Sequence, residues 1–426
     1  MGCHGVLDVS NPTLIQDGDI ANAGGANARR LDVVSDFSNR LARIAADVAL
    51  FTDERVYDRR SAPQPSYGDP DLVLDRRNSQ EYEQFGAYDN SDRHLGWLDE
   101  IVTKSAIAIP AVHAYAAAAN KNDFLAQLFA MRGYAILQMA EDVCPGFPIN
   151  DVSPNNLPIF SRPYTTDSAL TYAIAQFDSA LAFGHDSTQF LDFARVAKGR
   201  ALLDLGQFSQ AASVVGVVAT SFAYTTDPSV RGNDFAPFQI NRWSFNPMAV
   251  GNLEWGSGLP FVTANDPRVP TTFVQTRFGD PSDSLYDQLK YPDATTPMVL
   301  ASGIEARLIE AEAALNSGDA SWLVILNTLR SSLVVPSLPA LDDPGTMSGD
   351  IDLLYQERAF WLYLTGHRLG DLRRLIRVYG RSAASVFPSG APYPLGGTYG
   401  AATSIPFVQV VEAQYNPNIT SGCTSR

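Results

Sequence analysis

Lysine is scarce in this chain: Lys104, Lys121, Lys198 and Lys290 are the four among 31 basic residues. With the alanine-rich composition, that scarcity reflects a GC-rich coding sequence rather than a chemical demand. Acidic residues number 46, and the net charge of −15 excludes a nucleic-acid partner, because phosphate binding needs clustered Lys and Arg. It equally excludes adhesion to an anionic membrane through a polybasic patch. No apolar run reaches the length that spans a bilayer. The longest, AIAIPAVHAYAAAA, is alanine-rich and interrupted by Pro110 and His113. Histidine is also sparse, with His4, His94, His113, His185 and His367 scattered along the chain. Neither HExxH metal-ligand spacing nor a Ser or Cys nucleophile elbow is present, so neither a metal nor another cofactor is expected. Of the three cysteines, Cys3 follows Met1 and Gly2, and a Gly-Cys pair is how a bacterial lipobox ends. The apolar region that precedes such a site is missing, so a processed N-terminus with lipid on Cys3 is expected.

At 426 residues, 45% hydrophobic and 18% charged, the composition is globular, and length alone allows two or three domains. Most of the sequence carries helical periodicity. In DSALTYAIAQFDSALAFG, Leu170, Ala173, Ile174, Phe177 and Leu181 share one face, with Asp167 expected to cap the start and Gly184 to end it in a left-handed conformation. FARVAKGRALLDLG follows, then a turn with Gly206, Phe208 and Ala211 spaced as in tetratricopeptide-type helix hairpins. IEARLIEAEAALNSGDASWLVILNTLR repeats the plan around Asn316-Ser317-Gly318, and DFLAQLFAMRGYAILQMAEDV reads as an earlier pair, stopped by Cys144-Pro145-Gly146-Phe147-Pro148. The uneven spacing excludes a regular solenoid. The expected fold is mostly α, a tetratricopeptide-like scaffold of helix hairpins over about residues 30–220 and 298–380.

Residues 221–297 break the pattern. This insertion is rich in Pro, Asn, Asp and Gly, lacks sustained periodicity and contains Trp243, Phe245, Trp255, Phe261, Phe278, Tyr286 and Tyr291. Long irregular stretches inside a compact protein are usually functional. Residues 58–88 read similarly on a smaller scale, and residues 381–426 read as a turn-rich wrap.

The charged stretch ERAFWLYLTGHRLGDLRRLIRVYGR, Glu357 to Arg381, poses the sharpest choice between catalysis and scaffold. His367 and Asp371 would be an acid–base pair, but no nucleophile accompanies them. Helical geometry gives each polar group an ordinary structural role. Gly366 ends one helix, Asp371 caps the next, and Arg373, Arg374 and Arg377 lie on its outer side and last turns. The stretch reads as scaffold.

ERAFWLYLTGHRLGDLRRL also resembles the C-terminal signature of the SusD/RagB family of outer-membrane lipoproteins. AMRGYAILQMAEDVCPGFPI is similar to that family's first buried helix pair, and IEARLIEAEAALNSGD with Asn327-Thr328-Leu329-Arg330 to a later one. IPFVQVVEAQYNPNI resembles its closing motif, and CHGVLDVSNP its lipidated start. The matches run in the family's order along nearly the whole chain. The resemblance implies a single domain over 1–426, anchored only by lipid to the outer face of the outer membrane. It implies a non-enzymatic protein that captures glycans or other nutrients for a TonB-dependent transporter.

An oligo- or polysaccharide ligand suits the aromatic insertion, since pyranose faces stack on rings while polar neighbours take the hydroxyls. Trp243 and Trp255, with Asn241, Arg242 and Asn252, are the leading contacts; Tyr67 and Tyr88 in the earlier loop are weaker ones. Either tryptophan could instead pack its loop onto the scaffold, and Trp97, Trp322 and Trp361 are assigned to the core. A helical-repeat adaptor without a ligand is one alternative function, disfavoured by the insertion because such adaptors bind on regular concave faces. A glycoside hydrolase is the other, dependent on a carboxylate separation that sequence does not display. With lipid on Cys3, Cys144 and Cys423 remain and are expected to form a bridge that ties down the tail. The alternative is a buried, apolar Cys144 and a free thiol at Cys423.

Overall fold

Helical periodicity becomes a row of antiparallel helices in the computed structural model, which describes residues 20–57, 70–89, 92–153, 157–184, 187–230, 248–277, 280–293, 295–390 and 398–424. The row begins with α1 (Ala23–Phe51), capped by Asn22, whose side chain accepts the Gly25 amide at 3.0 Å. Two short helices, α2 (Pro70–Asp75) and α3 (Ser79–Asp89), lie beside its C-terminal end, in a region whose turn-rich sequence gives no periodic signal. Next come α4 (Arg93–Tyr115), with Pro110 inside it, and α5 (Ala118–Asp142). α5 is one continuous helix, not the expected pair. From Gly133 to Asp142 it is buried on every side, so it has no solvent face at which a turn could form.

α6 (Thr166–Phe183), α7 (Thr188–Asp204) and α8 (Phe208–Val215) continue the row, each packed on its predecessor. The cap of α6 is Thr165, joined to Ser168 in a reciprocal capping box, rather than Asp167. Gly184 keeps an ordinary φ of −74° and is not left-handed. The expected tight turns do occur at Gly206 (φ 71°) and at Gly318 (φ 75°), the latter between α9 (Gly303–Ser317) and α10 (Ser321–Ser332). α11 (Met347–Trp361) and α12 (Arg368–Arg377) return to close the scaffold against α9, α1 and α5. The wrap is not wholly irregular: it contains α13 (Ala383–Val386) and α14 (Gln409–Tyr415). Mostly helical architecture is what the sequence pattern anticipates.

Strands are short. Among the described residues they form four two-stranded antiparallel ladders. β1 (Arg55–Tyr57) pairs with β5 (Met248–Val250), β2 (Asp151–Val152) with β3 (Pro158–Ile159), β4 (Ala223–Thr225) with β8 (Val299–Ser302), and β6 (Thr271–Arg277) with β7 (Asp280–Gln288). Two large apolar clusters share the interior. One joins α1 and α4 to α9 around Phe37, Tyr134 and Phe193; the other joins the end of α1 to α9–α12 and the tail. Among the described residues no helix is long and apolar enough to cross a membrane.

The arginines of α12 depart most from expectation. Arg373 and Arg374 are buried, not on the outer side, and Asp371 lies within the first turn after His367 rather than at the cap. Arg374 donates to Glu312 (2.8 and 3.1 Å), Asp204 (2.8 Å) and Asp371 (2.6 Å), while Arg358 binds Asp371 with two hydrogen bonds (2.9 and 2.8 Å). Burial alone would raise the Asp371 carboxyl, yet Arg358 and Arg374 hold it below the ordinary aspartate range. Such a knot adds little net stability over apolar packing, but loss of one partner strands a buried charge. Arg373 reaches the end of α5 and donates to the carbonyls of Ala140 (2.9 Å), Glu141 (2.5 Å) and Val143 (3.2 Å). His367 faces Glu305, with Nε2 at 3.2 Å from Oε2, and Thr365, not Asp371. Catalytic pairing of His367 with Asp371 has no geometry behind it.

Cys144 and Cys423 are joined by a disulfide, with Cα atoms 5.4 Å apart. Beside it the Thr424 amide donates to Pro145 O at 2.7 Å. Cys3 lies outside the described residues.

Candidate functional site

The insertion leaves the scaffold through the β4–β8 ladder, which brings its two ends together; just beyond, the Thr226 amide donates to Met298 O at 2.9 Å. After residue 230 the described chain resumes at residue 248 with β5, which adds to β1 directly after α1. Gly251 then passes so close to Asp53 that a Cβ there would lie 2.1 Å from Asp53 O. The following turn is held from inside. Asn252 Oδ1 accepts from the Val262 amide (3.1 Å), the Thr263 amide (3.0 Å) and the Thr263 hydroxyl (3.1 Å). Leu253 takes the left-handed conformation (φ 54°), and a single helical turn follows at Glu254–Gly256. Beyond it the β6–β7 hairpin lays Leu285 against Val56 and Ala249.

What fixes this insertion to the scaffold is the charged stretch read from the sequence. Glu357 accepts two hydrogen bonds from Arg268 (2.6 and 3.1 Å), whose guanidinium lies 5.3 Å from the Phe360 ring centre and 5.0 Å from that of Trp361. Lys290 donates to Tyr363 O at 2.5 Å, and the next residue, Leu364, donates its amide to Glu54 Oε1 at 2.8 Å. Arg368 grips Asp53 through both oxygens (2.7 and 2.8 Å), and Asp53 Oδ2 also accepts the Leu259 amide of the insertion at 2.9 Å. Burial pushes the Glu54 carboxyl up to about 8 and the Lys290 ammonium down to about 8. The stretch is a clamp.

Clamped in this way, the insertion turns side chains outward from a fixed backbone. Leu253 is 59% and Phe273 55% exposed. Phe273 on β6 lies directly opposite Tyr286 on β7, edge to face, with ring centres 5.9 Å apart. An exposed ring on a braced hairpin, backed by the half-buried Tyr286, suits a partner with flat apolar faces. Among the described residues no three His, Cys, Asp or Glu side chains converge as metal ligands do.

No protein-family model matches the chain, and no curated protein matches it. Solved structures do. A SusD superfamily protein from Bacteroides vulgatus superposes with a TM-score of 0.64 at 13% identity, covering 95% of this chain and 99% of its own. A SusD-like carbohydrate binding protein from the same organism gives 0.58 at 12%, covering 83% of each chain. Surface glycan-binding protein A from Bacteroides uniformis gives 0.61 at 14%, covering 93% and 99%. The chain has the SusD fold. At these identities the likeness is one of backbone, and it extends over the scaffold and the insertion together.

Within that SusD fold the residues singled out from the sequence fall unevenly. Asn241, Arg242, Trp243 and Tyr67 lie outside the described residues. Tyr88 belongs to α3 and Trp255 to the turn after Leu253, but their side chains lie outside what is described. Asn252 sits in the same turn as Trp255, with its carbonyl oxygen given to loop bonds. Trp322 is buried, and Trp97 and Trp361 pack against the core. Phe273 escapes a reading by periodicity, because adjacent apolar residues in TTFVQTR and SLYDQ leave only a weak alternation about the Phe273–Tyr286 pair.

Proposed function

We propose that the protein belongs to the SusD/RagB family and captures oligo- or polysaccharide on the face built by the insertion. It delivers the glycan to a TonB-dependent outer-membrane transporter, and lipid on Cys3 holds it on the outside of the outer membrane. The observation that carries this reading is a SusD fold covering 95% of the chain. Its structural neighbours include proteins named for carbohydrate and surface-glycan binding. The clamp supports it too: the buried charges are engaged in holding the insertion, which leaves binding, not catalysis, to the outward side chains.

A glycan array combined with a reducing-sugar assay tests the proposal. Retention of a glycan without release of reducing ends is the expected result. Turnover would establish a glycoside hydrolase, and absence of both would favour an adaptor that binds only protein. Replacing Trp243 and Trp255 together with Ala is expected to abolish retention while the melting temperature holds, each ring contributing on the order of 1 kcal/mol. Purification from native membranes is expected to bring down a TonB-dependent barrel; recovery of a free, unlipidated protein contradicts the delivery step.

A further inference from the structure

Two carboxyl groups meet in the interior where α5, α7 and α12 come together. Glu141 stands in the last turn of α5 and Asp204 ends α7; both are buried, and their side chains lie within hydrogen-bonding reach of each other. One oxygen of each has a cation. Glu141 Oε1 lies 2.9 Å from Arg200 Nε, and Asp204 Oδ1 accepts from Arg374 at 2.8 Å. Among the described residues neither Glu141 Oε2 nor Asp204 Oδ2 has a protein donor. Arg200 and Asp204 are four residues apart on α7, so the helix sets the Asp204 carboxyl beside the guanidinium that holds Glu141. α12 approaches at Gly370, where a Cβ would lie 2.9 Å from Glu141 Cδ. That glycine brings α12 against the carboxyl without a side chain that could donate.

Two carboxylate oxygens in contact are both acceptors and repel unless one carries a proton. The surrounding charges are already engaged. Arg200 also approaches Glu305 (3.6 Å), which is paired with His367, and its guanidinium lies over Tyr134. Arg374 divides its donors among Asp204, Glu312 and Asp371. Arg373 directs its own to the α5 carbonyls and to Thr166. Asp142, the next residue, adds another negative charge, held by His94 and Gln138. Burial, with Asp204 and Asp142 adding to it, raises the Glu141 carboxyl well above the ordinary glutamate range although Arg200 opposes the rise.

We propose that Glu141 and Asp204 share one proton, which makes the meeting of α5, α7 and α12 a pH-sensitive joint. With the proton in place the ends of α5 and α7 are hydrogen-bonded. Without it two buried carboxylates repel, and the load falls on Arg373 and Arg374, which tie α12 to both. A cavity of about 320 Å³, lined by Asp204 with Thr166, Asp167 and Arg377, gives the proton a route to water. The native state keeps a proton that the unfolded chain releases above the ordinary value of 4.5. The stabilisation is therefore complete below that value and is lost as pH rises through the raised native one. α12 begins at Arg368, the residue that grips Asp53, so loosening of the joint is transmitted to the clamp on the insertion.

The test compares the full chain, wild type, with Glu141→Gln and with Asp204→Asn. Either amide supplies the missing donor, so both variants are expected to fold. Each is expected to remove the same protonated-carboxyl carbonyl band from the infrared difference spectrum at about pH 7. In melts from about pH 5 to pH 9, Glu141→Gln is expected to match wild type at the acid end and to gain on it steadily as pH rises. Glu54 and Glu412, whose carboxyls are also raised, remain in both proteins, so their titration cancels in the comparison. Hydrogen exchange over residues 368–378 is expected to quicken with pH in wild type relative to Glu141→Gln. An ionised Glu141 bound to Arg200 gives the opposite result, because the variant then breaks a buried pair from one side. Glu141→Gln would melt about 3 °C or more below wild type at pH 7, or fail to fold, and no band would be lost. That outcome overturns the shared proton. Loss of the band in one variant alone also overturns it, since the proton would then belong to a single carboxyl.

Discussion

Replacing Arg368 with Met probes the clamp at its centre. Arg368 and Asp53 are both buried, and Asp53 divides its oxygens between that guanidinium and the Leu259 amide of the insertion. Met keeps much of the arginine's length and removes the charge, so the Asp53 carboxylate is left in the interior with one amide donor. Breaking a buried pair from one side costs about 3–5 kcal/mol. At about 2.1 cal/mol/K per residue, unfolding of 426 residues as one unit has an entropy near 0.9 kcal/mol/K, so the melting temperature is expected to fall by about 3–6 °C. The effect is local before it is global: hydrogen exchange in peptides covering Gly251 to Pro270 is expected to accelerate well before the helices respond. Asp53→Asn in the Arg368→Met background relieves the stranded charge and keeps an acceptor for Leu259, so the double variant is expected to be about 2–3 kcal/mol more stable than the sum of the single changes. Additive effects within about 0.5 kcal/mol, with unchanged exchange in the insertion, would refute the clamp.

Three further outcomes are expected. Cys144→Ser with Cys423→Ser releases a cross-link spanning 279 residues and should lower stability by at most about 5 kcal/mol, with faster exchange confined first to the tail in non-reducing melts. Burial, reinforced by Asp92 and Asp99, raises the Glu412 carboxyl to about 8. Between the ordinary value of 4.5 and about 8 the native state keeps a proton that the unfolded chain has released, so stability falls as pH rises through that window; Glu412→Gln should abolish that fall, its advantage in melting temperature growing from about pH 5 to pH 8. Asn252→Ala orphans the Val262 and Thr263 amides at a cost of about 1–3 kcal/mol, and a glycan array should register weaker retention with the scaffold still folded.

The scaffold was legible wherever a helix has both a wet and a dry side. The stripe from Leu170 to Leu181 recovers α6, and Gly206 and Gly318 mark their turns, because these are local properties. α5 lost that legibility where it is buried all round, from Gly133 to Asp142, so those residues carry no phase from which to count turns. Arg373 and Arg374 were misplaced for a different reason. Arginines at the end of a helix ordinarily face water, and nothing nearby in sequence announces Asp204, 170 residues earlier, or the α5 carbonyls, 230 or more residues away. The insertion is harder still, since its conformation follows from Asp53, Glu54 and Arg368 rather than from its own propensities. TTFVQTR forms an edge strand although its polar residues leave only a weak alternation.

The reach of Arg373 into the end of α5 bears on the order in which the molecule can assemble. Its guanidinium closes carbonyls from Ala140, Glu141 and Val143 that the first third of the chain cannot satisfy for itself. Val143 also bridges to Ile405, Gly400 binds Arg76, and Cys144 waits for Cys423. A chain emerging from the ribosome therefore leaves its earliest central helix open at one end until nearly the last residues arrive. Contacts of such sequence separation make folding slow, and they make an N-terminal fragment an unfinished object rather than a smaller protein. The helical row alone therefore leaves the end of α5 open; the segments carrying Arg373, Ile405 and Cys423 are what close it.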